Sequence, residues 1–524
     1  MELIDWLVLI TYIILVIGMS YLIGRKQKNQ EDYYLGGRRI GAWQVGSSLM
    51  ANQVSAISLI GAPAFIAIRA EGGLTWLQYE LAVPLAMIFI IAFLVPLFWK
   101  TGGITIYTYL ERRFGLAART LVGMIFLVSR SMATGVALLT TSIVTSVCIG
   151  LGLPETIIII GIVSLAYTAL GGITADIYSD IIQLIVLWLS SIVCIVILLN
   201  LLNGEVAFLG DTSRLTVFDF RSTGLGDGKT FSFWPMLFGG LFLYVSYYGC
   251  DQSQAQRLLA TKDGAQAGAA LLINGIFRFP LVLTYCAVGV LIIPFLVQAP
   301  ELAREVEAMK PDYLMPLFFV RYIPAGLLGI IVAGIFAASM SSLDSAINSL
   351  SASTWQDFLI KIFPSLEDIP DLRKVFYSRG ITVFWGVLTT IFAILLSGGT
   401  ETVIELVNKI GSAFYGPIAA VFFIGIVLRV NQRAALGGFF CGFSVNILLW
   451  LFCKEVSWMW WNLTGFFFTF AGALVLSPLV GGTTQQKPAI ERAAPAVWRY
   501  ALYLFLWFVA ILLVCLLLEY ALPN

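Results

Sequence analysis

Between Gly334 and Trp355 the chain reads GIFAASMSSLDSAINSLSASTW, with Ser341, Ser342, Asp344, Ser345, Asn348, Ser349 and Ser351 crowded behind an apolar run, Leu327 to Ala338. At helical spacing Ala338, Ser341, Ser345 and Asn348 share one stripe, and Asp344 lies beside it. Hydroxyls, a carboxylate and freed backbone carbonyls are ligands for hard cations such as sodium, whereas softer metals take thiolate or imidazole. The chain has no histidine. Small hydroxylated residues also let membrane helices pack closely, so the hydroxyls alone support either reading. Asp344 shifts the balance toward ligation, because a carboxylate at membrane depth costs on the order of 3 kcal/mol unless it is paired or wet.

The elements that hold this stripe must be membrane helices. Over 524 residues, 59% are hydrophobic and 12% charged, with a mean hydropathy of +0.91, which predicts an all-α polytopic membrane protein. A net charge of +1 without a basic cluster gives no footing for nucleic acid. The seven cysteines include Cys148, Cys194, Cys250, Cys286 and Cys441 inside apolar runs and form no CxxC pair, so they read as core residues. An enzyme is disfavoured: the chain shows no Cys-type metal cluster, no phosphate-binding loop and no nucleophile beside a base.

Apolar runs long enough for a hydrocarbon core of about 30 Å predict about 14 helices. They fall near 4–24, 44–70, 73–99, 118–150, 154–172, 175–201, 232–250, 268–296, 322–356, 376–397, 402–429, 433–453, 458–480 and 497–520. The polar stretches 202–230 and 298–320 read as extramembrane loops. With the N-terminus outside, basic residues divide 20 to the inner loops, Arg113, Arg119 and Arg257 among them, against 8 outside. Short loops and the lack of targeting extensions suggest a bacterial inner membrane.

Two of these spans carry their own interruption. SSLMANQVSAISLIGAPAF puts Asn52, Gln53, Ser55 and Ser58 at mid-membrane ahead of Gly61 and Pro63, and LYVSYYGCDQSQAQR (243–257) repeats the mixture around Gly249. Counted from the second helix they stand first and sixth in a row of ten. That spacing points to an inverted-repeat transporter with its site at the midplane.

Six stretches in this order resemble one family: EDYYLGGRRIGAWQVGSSLMA (31–51), ITIYTYLERRFG (104–115), YTALGGITADIYSDIIQ (167–183), DQSQAQRLLATKD (251–263), FAASMSSLDSAINSLSAST (336–354) and GPIAAVFFIGI (416–426). The family is the solute:sodium symporters, which include sodium/glucose, sodium/proline and sodium/sialic acid cotransporters. The resemblance implies a LeuT-type five-plus-five inverted repeat over 31–430, after a preliminary helix and basic loop (1–30) and before accessory helices (431–524). It implies a main sodium site from the carbonyls of Ala51, Val54 and Ala338 and the hydroxyls of Ser341 and Ser342. A second site used by some members corresponds to Asp180, Ser341, Asp344, Ser345 and Ser55. Asp344 stands where several relatives have a neutral residue, and it either strengthens that site or pairs with a basic side chain. Asp180 is open to a second reading, as a carboxylate near a helix N-terminus stabilised by the dipole.

On the substrate side, Glu80 resembles the glutamate with which sugar carriers hold hydroxyls. Ser58, Tyr244 and Asn408 stand where those carriers have glutamine, asparagine and glutamine, Tyr247 resembles their inner-gate tyrosine, and Arg278 replaces their lysine. Arg130 lies about one turn from the arginine that holds the carboxylate in sialic acid carriers, a group suited to bidentate pairing. An internal salt bridge from Arg130 or Arg278 to Glu80, Asp180 or Asp344 is the competing expectation. Trp76, Trp458, Trp460 and Trp461 read as interfacial belt and helix packing. The function implied is sodium-coupled import of a small polar organic solute, a sugar or polyol ahead of a carboxylate-bearing one, by a carrier able to act as a monomer in the bilayer. Proton coupling on the same fold and a non-transporting solute sensor are the alternatives.

Overall fold

A computed structural model describes residues 1–54, 56–204, 212–309, 311–397, 403–480 and 495–521. Among the described residues there are helices and connecting segments but no strands. The principal helices are α1 (Leu3–Gly24), α2 (Ala42–Gln53), α3 (Ala56–Ala67), α4 (Leu74–Thr101), α5 (Leu116–Ile149), α6 (Leu153–Leu201), α7 (Gly240–Cys250) and α8 (Gln252–Leu259). They continue as α9 (Gly264–Gln298), α10 (Leu327–Ile362), α11 (Asp371–Leu396), α12 (Val403–Val427), α13 (Gln432–Phe452), α14 (Trp460–Leu479) and α15 (Pro495–Ala521). Among the described residues 10 helices are long and apolar enough to cross a membrane, or up to 11 if the bent pair α2–α3 is one span.

That criterion does not reach the expected count, for a physical reason. The runs 154–172 and 175–201 form the single 49-residue element α6, divided at Gly172, and α7 has only 11 residues before its chain breaks. At Gly172 the backbone turns to φ 57°, ψ −167°, and a Cβ there would sit 2.6 Å from the Tyr33 carbonyl. Only glycine fits both the dihedral and the contact.

The two predicted interruptions are present and better located. α2 ends at Gln53, Val54 leaves the helical region (φ −79°, ψ 87°), and α3 departs at 52°. Gly61 and Pro63 do not make the break; they lie inside α3, where neighbouring helices support Pro63. The second break falls at Asp251 (φ −91°, ψ 125°), two residues past Gly249.

At the centre stands α10, whose most apolar window is 89% buried, against 17% for the peripheral α15. It packs on α1, α5, α6 and α11 and on the broken pieces α2, α3 and α8. Its N-terminus is tied down by α1: Asp5 Oδ1 accepts from the Gly326 and Gly329 N–H groups (2.7 and 2.8 Å), while Oδ2 accepts from Glu2 N–H at 2.8 Å. A Cβ on Gly329 would lie 2.6 Å from Asp5 Cα, so the helices touch there. Asp5→Ala removes three charge-assisted bonds and lowers stability by about 2 kcal/mol, read as a lower melting midpoint in detergent. Asp5→Asn, which still accepts, recovers most of it, and an unchanged midpoint for the alanine variant refutes the tie.

Two expected loops hold more structure than their polarity suggested. The stretch 298–320 contributes the helices Pro300–Glu307 and Leu314–Tyr322. In 202–230, slight burial opposes ionisation of Asp227, but N–H groups of Thr223, Lys229 and Gly224 hold its carboxyl below the usual range and close a tight turn. Arg113, Arg119 and Arg257, counted with the inner loops, are buried in helices instead. Trp458 and Trp461 are buried, and their part is packing.

Candidate functional site

A helix that ends inside the bundle leaves its last carbonyls without intrahelical donors. α2 ends this way facing α10, and the Ser342 hydroxyl lies within reach of the Asn52 carbonyl (3.2 Å) and of its own helix's Ala338 carbonyl (3.4 Å). Ser342 thus joins α10 to the break, with Ala51, Val54 and Ala338 all buried. Both polar atoms of the Asn52 side chain are buried without a hydrogen bond. Ser55 lies outside the described residues.

One position along, the Ser341 hydroxyl faces a different group of residues. It is fully buried, makes no hydrogen bond of standard geometry and lies beside Asp180. Asp180, Asp176 and Asp344 each bring a carboxylate oxygen within 4.8 Å of the others. Among the described residues a single cation enters the cluster: Arg257 Nη2 donates to Asp176 Oδ2 (2.9 Å) and Asp180 Oδ2 (3.0 Å) and also reaches Ser345 Oγ, while its Nε donates to Ser48 Oγ at 2.6 Å. Asp344 carries no ion pair among the described residues; it accepts from the Tyr167 hydroxyl and from the Ser345 N–H (2.7 Å). The second oxygens of Asp176 and Asp180 have no hydrogen bond. Three buried carboxylates therefore face one guanidinium.

The helix-dipole reading of Asp180 does not hold, because the residue lies eight positions beyond the break at Gly172 and the dipole acts within the first turn. Asp176 and Arg257 were not singled out from the sequence. The polar run QSQAQR marked the second, but only the fold brings it to α6.

A cavity of about 190 Å³ opens on the other side of Ser342. Its lining includes Asn52, Gln53, Val54, Ser58, Glu80, Arg130, Tyr244, Tyr247, Arg278 and Ser342. Every described substrate-side residue expected from the sequence is therefore gathered here; Asn408 falls in α12, where its side chain is outside the described residues. Trp76, assigned to the interfacial belt, lines the cavity instead, as do Tyr79, Tyr285 and Tyr415.

Two arginines stand on the wall in unequal states. Arg278 holds Glu80 side-on through Nε (2.6 Å) and Nη2 (2.9 Å), and donates to the hydroxyls of Tyr244 (2.8 Å) and Tyr248 (3.1 Å). The expected internal salt bridge is thus the Arg278–Glu80 pair. Arg130 has its nearest carboxylate in Asp251, at the second break, with Nη1 3.5 Å from Oδ2. Its Nε is buried without a hydrogen bond, and the Tyr247 ring lies 5.7 Å from the guanidinium.

Comparison with known proteins bears on this arrangement. The sodium:solute symporter family model matches residues 33–442. The chain is 27% identical to the sodium-coupled monocarboxylate transporter 2 of Danio rerio over 84% of its own length and 71% of that protein. It is 28% identical to the human sodium/iodide cotransporter over 80% of its length and 65% of that protein. The solved structure of a sodium-coupled sialic acid symporter superposes with a TM-score of 0.82 at 22% identity, covering 93% of this chain and 100% of that one. The superposition shows the expected LeuT-type fold, and members of the matched family are transporters rather than enzymes. A family match across most of the sequence, carried on that fold, makes this multi-pass membrane protein a member of the sodium:solute symporter family, which moves a small solute together with sodium.

Proposed function

We propose that the protein imports a small carboxylate-bearing solute with sodium, and that Arg130 receives the carboxylate. The observation that carries this reading is the contrast between the two arginines. Arg278 is saturated by Glu80 and two tyrosines, whereas Arg130 lines the cavity beside Tyr247 with a single, long ion pair to Asp251. A guanidinium on a cavity wall whose counter-ion is held this loosely suits a planar anion. Relatives named for monocarboxylates and iodide also handle anions. The sugar-like alternative rests on Glu80, both of whose oxygens already accept from Arg278.

The main sodium site falls to the carbonyls of Ala51, Val54 and Ala338 with the hydroxyls of Ser341 and Ser342, supported by the position of Ser342 against the break. A second falls to Asp180, Ser341, Asp344, Ser345 and Ser55, supported by the surplus of carboxylate over guanidinium. Sodium at the first site ties α10 to the joint of α2 and α3. Because Gln53, Val54 and Ser58 line the cavity, fixing that joint also completes the pocket in which Ser58, Glu80, Arg130, Tyr244, Tyr247, Arg278 and Asn408 meet the solute. Residues 31–430 form the transport core, with 1–30 and 431–524 accessory. The carrier acts as a monomer in an inner membrane, N-terminus outside, without enzymatic chemistry.

Uptake into proteoliposomes tests the reading with lactate, sialic acid, proline, a hexose and myo-inositol, with and without an inward sodium gradient. Accumulation of a carboxylate only with sodium is expected. Arg130→Lys, which keeps the charge but loses the fork, raises its half-saturation roughly tenfold or more. Sodium-driven uptake of hexose or inositol alone overturns the carboxylate assignment, and uptake that follows pH and ignores sodium overturns the coupling ion.

A further inference from the structure

We infer that Asp251 is a specificity-determining residue: its carboxylate is an internal stand-in that the solute's carboxylate displaces from Arg130. The inference rests on the assignment of Arg130 above. Asp251 divides its two oxygens between different tasks. Oδ1 caps α8, accepting from the Ser253 N–H (2.8 Å) and the Ser253 hydroxyl (2.6 Å). Oδ2 faces Arg130 Nη1 at 3.5 Å, longer than the about 2.7–2.9 Å of a charge-assisted bond.

The cap does not require a charge, since Asn and Ser cap about as well as Asp. What the charge adds is compensation for Arg130, a guanidinium only 9% exposed. The compensation is partial by geometry. Arg278 uses its Nε–Nη2 edge to hold Glu80, whereas Arg130 meets Asp251 through Nη1 and leaves Nε without a partner. The arginine is neutralised enough to stay buried and free enough to accept a second anion. That anion meets the negative field of Asp251, so a monoanion is admitted and a dianion of the same size is opposed.

Lactate, malonate and lactamide supply a monoanion, a dianion and a neutral molecule of one size. Each is titrated against the purified full chain in saturating sodium, with thermal stabilisation as the readout. The wild type is expected to prefer lactate over malonate by about tenfold or more. Asp251→Asn keeps the cap and removes the charge. It lowers the half-saturation for lactate by about tenfold, brings malonate to within about twofold of lactate and leaves lactamide unmoved. Asp251→Ser, a second neutral cap, behaves the same way, and Asp251→Glu keeps the wild-type preference.

Equal affinity for lactate and malonate in the wild type overturns the inference without any variant. So does unchanged or weaker lactate binding in both neutral caps when Arg130→Ala abolishes it. If Arg130→Ala binds lactate as the wild type does, or if no variant binds a carboxylate, the assignment of Arg130 falls and the inference with it.

Discussion

Glu80→Gln lowers the unfolding free energy by about 3–5 kcal/mol, the usual cost of removing one partner from a buried ion pair. Glu80 is 1% exposed and Arg278 6%, and their side-on pair is the shortest ion pair on the cavity wall. Glutamine preserves the shape and one acceptor, so packing hardly changes. What remains is a buried guanidinium without a counter-charge, held by neutral acceptors: the glutamine carbonyl and the hydroxyls of Tyr244 and Tyr248. The loss is readable by a thiol-reactive dye, because Cys148, Cys194, Cys250, Cys286 and Cys515 are buried and become reactive on unfolding, over a baseline from exposed Cys441 and Cys453. Glu80→Gln/Arg278→Gln removes both charges and recovers most of the stability. A single variant within about 1 kcal/mol of wild type, or a double variant no better than the single, shows that the pair is not the main support of this wall.

Ser342→Ala raises the sodium concentration for half-maximal uptake by roughly tenfold to a hundredfold, from the about 1.5–3 kcal/mol of one hydrogen-bond-strength contact to a charge. The hydroxyl sits between the carbonyl of Asn52 at the break and that of Ala338 on α10, so its removal takes one ligand from the joint between the two helices. Ser342→Thr keeps the oxygen and the sodium dependence. Direct sodium binding to the purified protein separates this from a folding defect: both variants melt like wild type, and only alanine loses the ion. Unchanged sodium dependence in the alanine variant moves the site away from Ser342.

How much of this was legible in the chain depends on whether a signal is local. The polar residues from Asn52 to Ser58 announced a broken helix because they violate the apolar run around them. The break was expected among them and ahead of Gly61 and Pro63, yet whether proline itself stops a helix depends on what packs around it, and Pro63 continues α3. The serines and Asp344 on α10 were readable for the same reason. Partners were readable only as a set of possible pairs. Arg257 looked like an inner-loop residue, but α8 folds back into the bundle and places it between Asp176 and Asp180, 81 and 77 residues away. The two arginines of the cavity could be named but not ranked, because which one keeps Glu80 is decided where α9 meets α4.

The pairing of the cavity's charges has an electrical consequence. Glu80 cancels Arg278 and Asp251 offsets Arg130, so the pocket itself is close to neutral and adds little to the charge that crosses the membrane. A monoanion carried with one sodium then moves no net charge, and the membrane voltage neither helps nor hinders it. A second sodium, held at the aspartate cluster, makes the same cycle a current and adds about 2.3 kcal/mol of driving force per 100 mV. Whether this carrier works as a chemical or an electrical accumulator is thus decided at Asp180 and Asp344, apart from the pocket that chooses its cargo.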